Sequence, residues 1–169
     1  MRWPHLRLLH RMKTERSLKA RAVDLLSRRE HSRLELGRKL ARYATDPSEV
    51  DVVLFDLESQ GLLSNDRFAN SLVHRRAGKL GTSRIVQELR QHGVSAEQVA
   101  ELRTSLRESE ESRARIVWQK RYGRAPIDAA DRAKQMRFLA ARGFGTDTIR
   151  KVISGADDVF SDDDDFTGV

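Results

Sequence analysis

Cysteine is absent from this chain of 169 residues, which removes disulfides, thiolate nucleophiles and cysteine-type zinc sites together. Proline occurs only 3 times, and no sustained alternation of apolar and polar residues is present, so strands find no support. The five histidines, His5, His10, His31, His74 and His92, are scattered and form no His-Glu-x-x-His pair for zinc; they read as structural or surface residues. Gly78 and Gly81 flank Lys79 without the remainder of a phosphate loop, and Gly143-Phe144-Gly145 lacks a third glycine at Thr148. No carboxylate stands in an apolar context that would raise its pKa. No catalytic residue, cofactor or metal is expected, and the chain does not read as an enzyme. Long apolar runs are missing too. Trp3, Leu6, Leu8 and Leu9 beside Arg2 and Arg7 make a stretch too short and broken for a signal peptide or membrane span. Residues 1–16 read as a poorly ordered basic leader, and the protein as cytoplasmic without membrane attachment.

What the chain has in excess is positive charge, unevenly spread. The net charge is +7 with 32 lysines and arginines, of which 25 are arginine, the side chain suited to paired contacts with phosphates and carboxylates. Yet the end of the chain holds Asp157, Asp158, Asp162, Asp163, Asp164 and Asp165 with no basic residue among them. Residues 156–169 therefore read as a disordered acidic tail; a second possibility is that it folds back over the basic body and competes with DNA. A body this basic favours nucleic acid or an acidic protein surface as partner.

Apolar positions recur about every fifty residues. Leu36, Leu40, Val50 and Val53 return 49 residues later as Ile85, Leu89, Val99 and Leu102, and three of them return after 50 more as Leu139, Ile149 and Val152. The local spacing follows three and four, which indicates helices. Ser32 with Glu35 forms a capping box, Asp46-Pro47 with Glu49 a second start, and Ser95 with Gln98 a third. Gly93 and Gly143 stop helices, and Gly145 stands where Asp46 and Ser95 stood. First helices are predicted over residues 18–27, 67–76 and 111–122. The fold class expected is all-α, an elongated array of three tandem three-helix repeats over residues 17–63, 64–106 and 107–155. Between Val94 and Tyr122 there is neither Gly nor Pro, so repeats two and three are expected to join through a nearly continuous helix with adjustable tilt. No heptad seam argues for a dimer, so a monomer is expected.

Several of these strings together resemble the RecX family, modulators of the RecA recombinase. The resemblance rests on Arg28-Arg29-Glu30-His31-Ser32 with Glu35-Leu36 and Lys39-Leu40; on Asn65-Asp66-Arg67-Phe68-Ala69, Gly81, Ile85, Gln87-Glu88-Leu89 and His92-Gly93-Val94; and on Lys120-Arg121-Tyr122-Gly123 and Arg142-Gly143-Phe144. It covers residues 18–153 by order and spacing rather than by one diagnostic string. The leader, the tail and Tyr43-Ala44, in place of a stop glycine, depart from it. The resemblance implies a negative regulator that binds the RecA filament on single-stranded DNA and inhibits its extension, ATP hydrolysis, strand exchange and co-protease activity, with roles in recombination, repair and the SOS response. Single-stranded DNA itself is expected as a weak or indirect partner.

For partner and DNA contacts the candidates are Arg75, Arg76, Lys79, Arg84 and Arg90 in the middle repeat, Arg38, Lys39 and Arg42 in the first, and Arg137, Arg142, Arg150 and Lys151 in the third. A basic helical DNA-binding protein acting without RecA is the alternative, although no helix begins with the Asn, Gln and Arg cluster that base reading requires. A generic two-helix repeat scaffold lacks its own signatures here.

Overall fold

A computed structural model describes residues 16–161, with side chains described to Gly155. The expectations placed on residues 1–15 and 162–169 lie outside the described residues. Among the described residues the protein is all-helical: α1 (Leu18–Leu26), α2 (Arg33–Leu40), α3 (Pro47–Ser59), α4 (Asn65–Ala77), α5 (Thr82–Gln91), α6 (Ala96–Glu108), α7 (Glu110–Arg121), α8 (Ala129–Ala140) and α9 (Thr146–Ser161). The chain divides into two compact units, one ending at Ser64 and the other beginning at Asn65.

The first unit holds α1–α3 around Ala22, Leu36, Leu40, Val50, Leu54, Leu57 and Leu63. Its helices start where the sequence provides oxygens for the unpaired amides of a first turn. The Ser32 side chain accepts from the Glu35 amide at 3.1 Å, and Asp46 accepts from the Ser48 amide at 2.8 Å. Glu49 reaches back one residue further than a standard box, to the Thr45 amide at 3.3 Å. Ahead of α2, His31 is buried with its Nδ1 on the Arg29 carbonyl at 2.9 Å and its Nε2 on Lys39 Nζ at 3.0 Å. An ammonium only donates, so Nε2 accepts and the proton sits on Nδ1. Burial foremost lowers the His31 pKa. Burial alone would raise Glu35, but hydrogen bonds from Arg29 and Lys39 outweigh it and hold that carboxyl at about 2. A depressed carboxyl stabilises the folded state above its unfolded pKa near 4.5 and loses that contribution as pH falls towards 2. The variant Glu35→Gln should accordingly lower the stability of the first unit at pH 7, and urea titrations should show the deficit shrinking as pH falls from 4.5 towards 2. A deficit constant over that range would reject the charge as its source.

The second unit contains two cores. One gathers Phe68, Ala69, Leu72, Ile85, Val86, Leu89, Val94, Val99 and Leu106 from α4–α6 and the turn before α6. The other gathers Ala114, Val117, Trp118, Leu139, Phe144, Ile149, Val152 and Ile153 from α7–α9 and the turn before α9. The fifty-residue repeat explains an irregularity in the second of these. The position of Leu36 and Ile85 falls on Gln135, which is 0% exposed. Its Oε1 accepts from Trp118 Nε1 at 2.7 Å, and its Nε2 donates to Asp131 at 3.1 Å. A buried indole N–H needs an acceptor, and this repeat supplies one from the site where the others place an aliphatic side chain.

Between the two cores the seam is polar. Only Ser109 interrupts the run from α6 to α7, so the near-continuous connection is present. Two buried charges bridge the join and would have to break their bonds for the expected tilt to change. Glu110, 8% exposed, accepts from the Thr82 amide at 2.8 Å and from the Thr148 hydroxyl at 3.2 Å, in the first turns of α5 and α9. Arg113, 9% exposed, donates to the carbonyls of Ala77 at 3.2 Å, Leu80 at 2.6 Å and Leu106 at 2.8 Å, at or near the ends of α4 and α6. Each charge thus meets helix ends of opposite partial charge. Alongside, the Gly81 amide donates to Arg142 O at 2.9 Å and the Ser83 amide to Gly143 O at 3.2 Å. A Cβ on Gly81 would stand 2.2 Å from the Gly143 backbone. Gly143 itself has φ +83°, where other residues are strained. Gly81→Ala should therefore cost the second unit about 2 kcal/mol or more, seen as an earlier loss of protection in its amides under denaturant-dependent hydrogen exchange, while the first unit keeps its stability.

Candidate functional site

The clamp brings two parts of the second unit together around an open basic cleft. Gly78 and Lys79 from the α4–α5 turn form one side, and Val117, Lys120 and Arg121 of α7, with Phe138 of α8 and Arg142, form the other. The four cations face a lining without a carboxylate. Arg142 is fixed in place. Its guanidinium lies 3.7 Å from the centroid of the Phe138 ring, Nη1 donates to the Phe138 carbonyl at 3.2 Å, and its own carbonyl accepts from Gly81. Tyr122 supports Phe138 edge-on at 5.3 Å between centroids. An arginine held over an aromatic face keeps its charge while presenting a defined plane. The cleft can hold phosphates or carboxylates, and its half-buried ring offers a surface on which an aromatic group can lie.

Of the residues selected from sequence, Lys79 and Arg142 meet here. Lys120 and Arg121 join them from α7, three and four residues after Val117 on the same helix. A second groove lies by the clamp, where Arg90 joins Arg103 and Arg107 of α6 beside Thr82, Ser83, Val86, Glu110 and Gly145. Arg84 is exposed, with its backbone against Gly143. Arg75 is exposed and bonds Ser71 at 2.9 Å, while Arg76 pairs with Glu88 at 2.8 Å. In the third repeat Arg137 is exposed, Arg150 lies 3.8 Å from Asp147, and Lys151 lies 3.8 Å from Glu111. In the first unit Arg38 is exposed and Lys39 is engaged by Glu35 at 3.2 Å. Arg42 shares a shallow cleft with Arg16, Arg21 and Tyr43, where Arg21 lies 4.1 Å over the tyrosine ring. The twelve candidates thus fall into several places rather than one. Among the described residues no group of three or more His, Asp or Glu could hold a metal ion, and no helix is long and apolar enough to cross a membrane.

Three family models match in order: "RecX, first three-helix domain" over residues 19–57, the second over 64–102 and the third over 108–153. This chain belongs to the RecX family. Curated relatives named Regulatory protein RecX include one from Ralstonia pickettii, 51% identical over 148 residues covering 88% of this chain and 93% of that protein. Another, from Pseudomonas fluorescens, is 43% identical over 141 residues, covering 80% and 89%. Among solved structures, RecX from Lactobacillus salivarius superposes with a TM-score of 0.69 at 19% identity, covering 83% of this chain and 94% of that one. A second crystal structure of a regulatory protein RecX gives 0.67 at 23% identity, covering 81% and 73%. At those identities the structures speak for the fold, and the curated relatives place the chain among regulatory proteins.

The cleft makes a prediction separable from the other basic positions. Changing Lys79 and Lys120 together to Glu should weaken binding to a labelled oligothymidylate and reduce the slope of log affinity against log salt by about two, roughly one for each lost phosphate contact. Reversing Arg75 and Arg76 should do less, because Arg76 already pairs with Glu88. Equal effects from both pairs would reject the cleft as a distinct site.

Proposed function

We propose that this RecX-family chain is a negative regulator of RecA that binds the RecA filament on single-stranded DNA and limits its extension, ATP hydrolysis, strand exchange and co-protease activity. It acts as a monomer in the cytoplasm. The observation that carries this reading is the match of all three family domains, in order, over residues 19–57, 64–102 and 108–153. The physical surfaces suit it. A filament presents protein and phosphates side by side, and several separate basic places on one chain can make modest contacts that reinforce one another through effective concentration. Arg75, Arg76, Lys79, Arg84 and Arg90 remain the first positions to test, now with Lys120, Arg121 and Arg142.

Adding the purified protein to RecA on single-stranded DNA, well below RecA's concentration, should sharply reduce ATP turnover. Charge reversal at Arg75, Arg76 and Arg84 should relieve the inhibition without loss of helical content by circular dichroism. The basic cleft beside Phe138 also favours a second reading, a DNA-binding protein that works without the recombinase. Unchanged turnover under conditions where the chain still binds DNA would decide for that second reading.

A further inference from the structure

The packing of α9 on α7 brings the end of α9 level with Lys120 and Arg121, at one edge of the basic cleft. Thr148 lies at Glu110 (3.2 Å), Lys151 at Glu111 (3.8 Å), and a Cβ on Gly155 would come 3.6 Å from Arg115. Both sequences advance together along these contacts, so the helices run parallel with an offset near forty residues. With equal rise per residue, the end of α9 at Ser161 comes level with Arg121, the last residue of α7. There the chain continues with Asp162, Asp163, Asp164, Asp165 and Phe166. Eight residues follow Ser161 and can span up to about 27 Å, ample to pass from the end of α9 around α7.

The neighbouring cleft carries Lys79, Lys120, Arg121 and Arg142 and no lining carboxylate. Lys79 and Lys120 form no ion pair among the described residues. Four consecutive carboxylates complement four cations, and the Phe138 ring at the cleft gives Phe166 an aromatic surface to lie on. Tethering so close keeps the effective concentration of the segment high.

We propose that the acidic segment at residues 162–165 docks within its own molecule in the cleft of Lys79, Lys120, Arg121 and Arg142, and that an external polyanion must displace it to bind there. The segment is thus a built-in competitor that sets the salt and partner threshold for the cleft. The proposal concerns the cleft whatever the regulated partner is, and its test contains no recombinase.

Zero-length carbodiimide coupling of the dilute full chain, mapped by mass spectrometry, should join carboxylates of residues 162–165 to Lys79 or Lys120. Links only to Lys13, Lys19, Lys39, Lys134 or Lys151, or none, would overturn docking in the cleft. A double-mutant cycle separates docking from the general effect of removing negative charge. Changing all four aspartates to asparagine should tighten binding of a labelled oligothymidylate about fivefold at moderate salt. In the background Lys79→Glu with Lys120→Glu, where the segment has lost its seat, the same change should gain much less. An equal gain in both backgrounds would mean bulk charge alone and would sink the proposal. Circular dichroism, with Trp118 fluorescence read in a Trp3→Phe background, confirms that every variant remains folded.

Discussion

The second unit depends on one arrangement: two ionised side chains, a single turn apart on α7, that serve the ends of other helices. A helix leaves its first amides and last carbonyls unpaired, and burying them without partners costs about 1–3 kcal/mol each. Glu110 meets amide and hydroxyl donors in the first turns of α5 and α9, and Arg113 meets carbonyls at or near the ends of α4 and α6. Burial disfavours the charged form of Arg113, and Glu110 partly offsets it. Neither residue could be replaced by an aliphatic side chain without orphaning groups that belong to other helices. The pair is therefore a structural requirement of how those repeats meet.

The same requirement explains a break in the repeat grammar. The position of Ser32, which caps α2, recurs as Gly81 at the start of α5. A serine there would have nowhere to put its Cβ, since the Gly143 backbone occupies that space. The Thr82 amide is instead capped by Glu110, twenty-eight residues further along the chain. Repeat three thus takes over a function that repeat one performs with its own residue, which is how a neighbour steadies a module too small to stand on its core alone.

Periodicity made the helices, their starts and most of the core readable. The recurring positions from Leu36 to Val152 are buried or packed against the cores, and the boundaries follow local capping chemistry that a single sequence carries openly. The seam was not readable in the same way. Glu110 and Arg113 look like ordinary surface charges in a helix rich in charge, and nothing local distinguishes them from Glu111 or Arg115. Their meaning comes from Thr82, Leu80 and Thr148, tens of residues away. The absence of Gly and Pro between Val94 and Tyr122 correctly indicated a near-continuous helix, but a helix-favouring composition says nothing about what packs against it. The basic cleft was half legible for a related reason. Lys79 and Arg142 are among the basic candidates of the second and third repeats, whereas Lys120 and Arg121 join them only because the clamp fixes α7 against the α4–α5 turn.

A purely apolar seam would be easier to build and often at least as stable, because desolvating charges is costly. What it would lack is register. Apolar surfaces tolerate sliding, whereas bonds to particular helix ends, and a backbone approach that only glycine permits, are satisfied in one alignment. That alignment matters because the cleft is assembled from both sides of the seam. Displacing one side by a single helical residue, about 1.5 Å, would shift Lys79 relative to Lys120 by a large fraction of a hydrogen-bond length. It would also pull the Arg142 carbonyl away from Gly81, loosening the residue whose guanidinium is stacked on Phe138. The buried charges and the exposed ones are in this sense one device: the clamp holds the spacing of the cations that line the cleft.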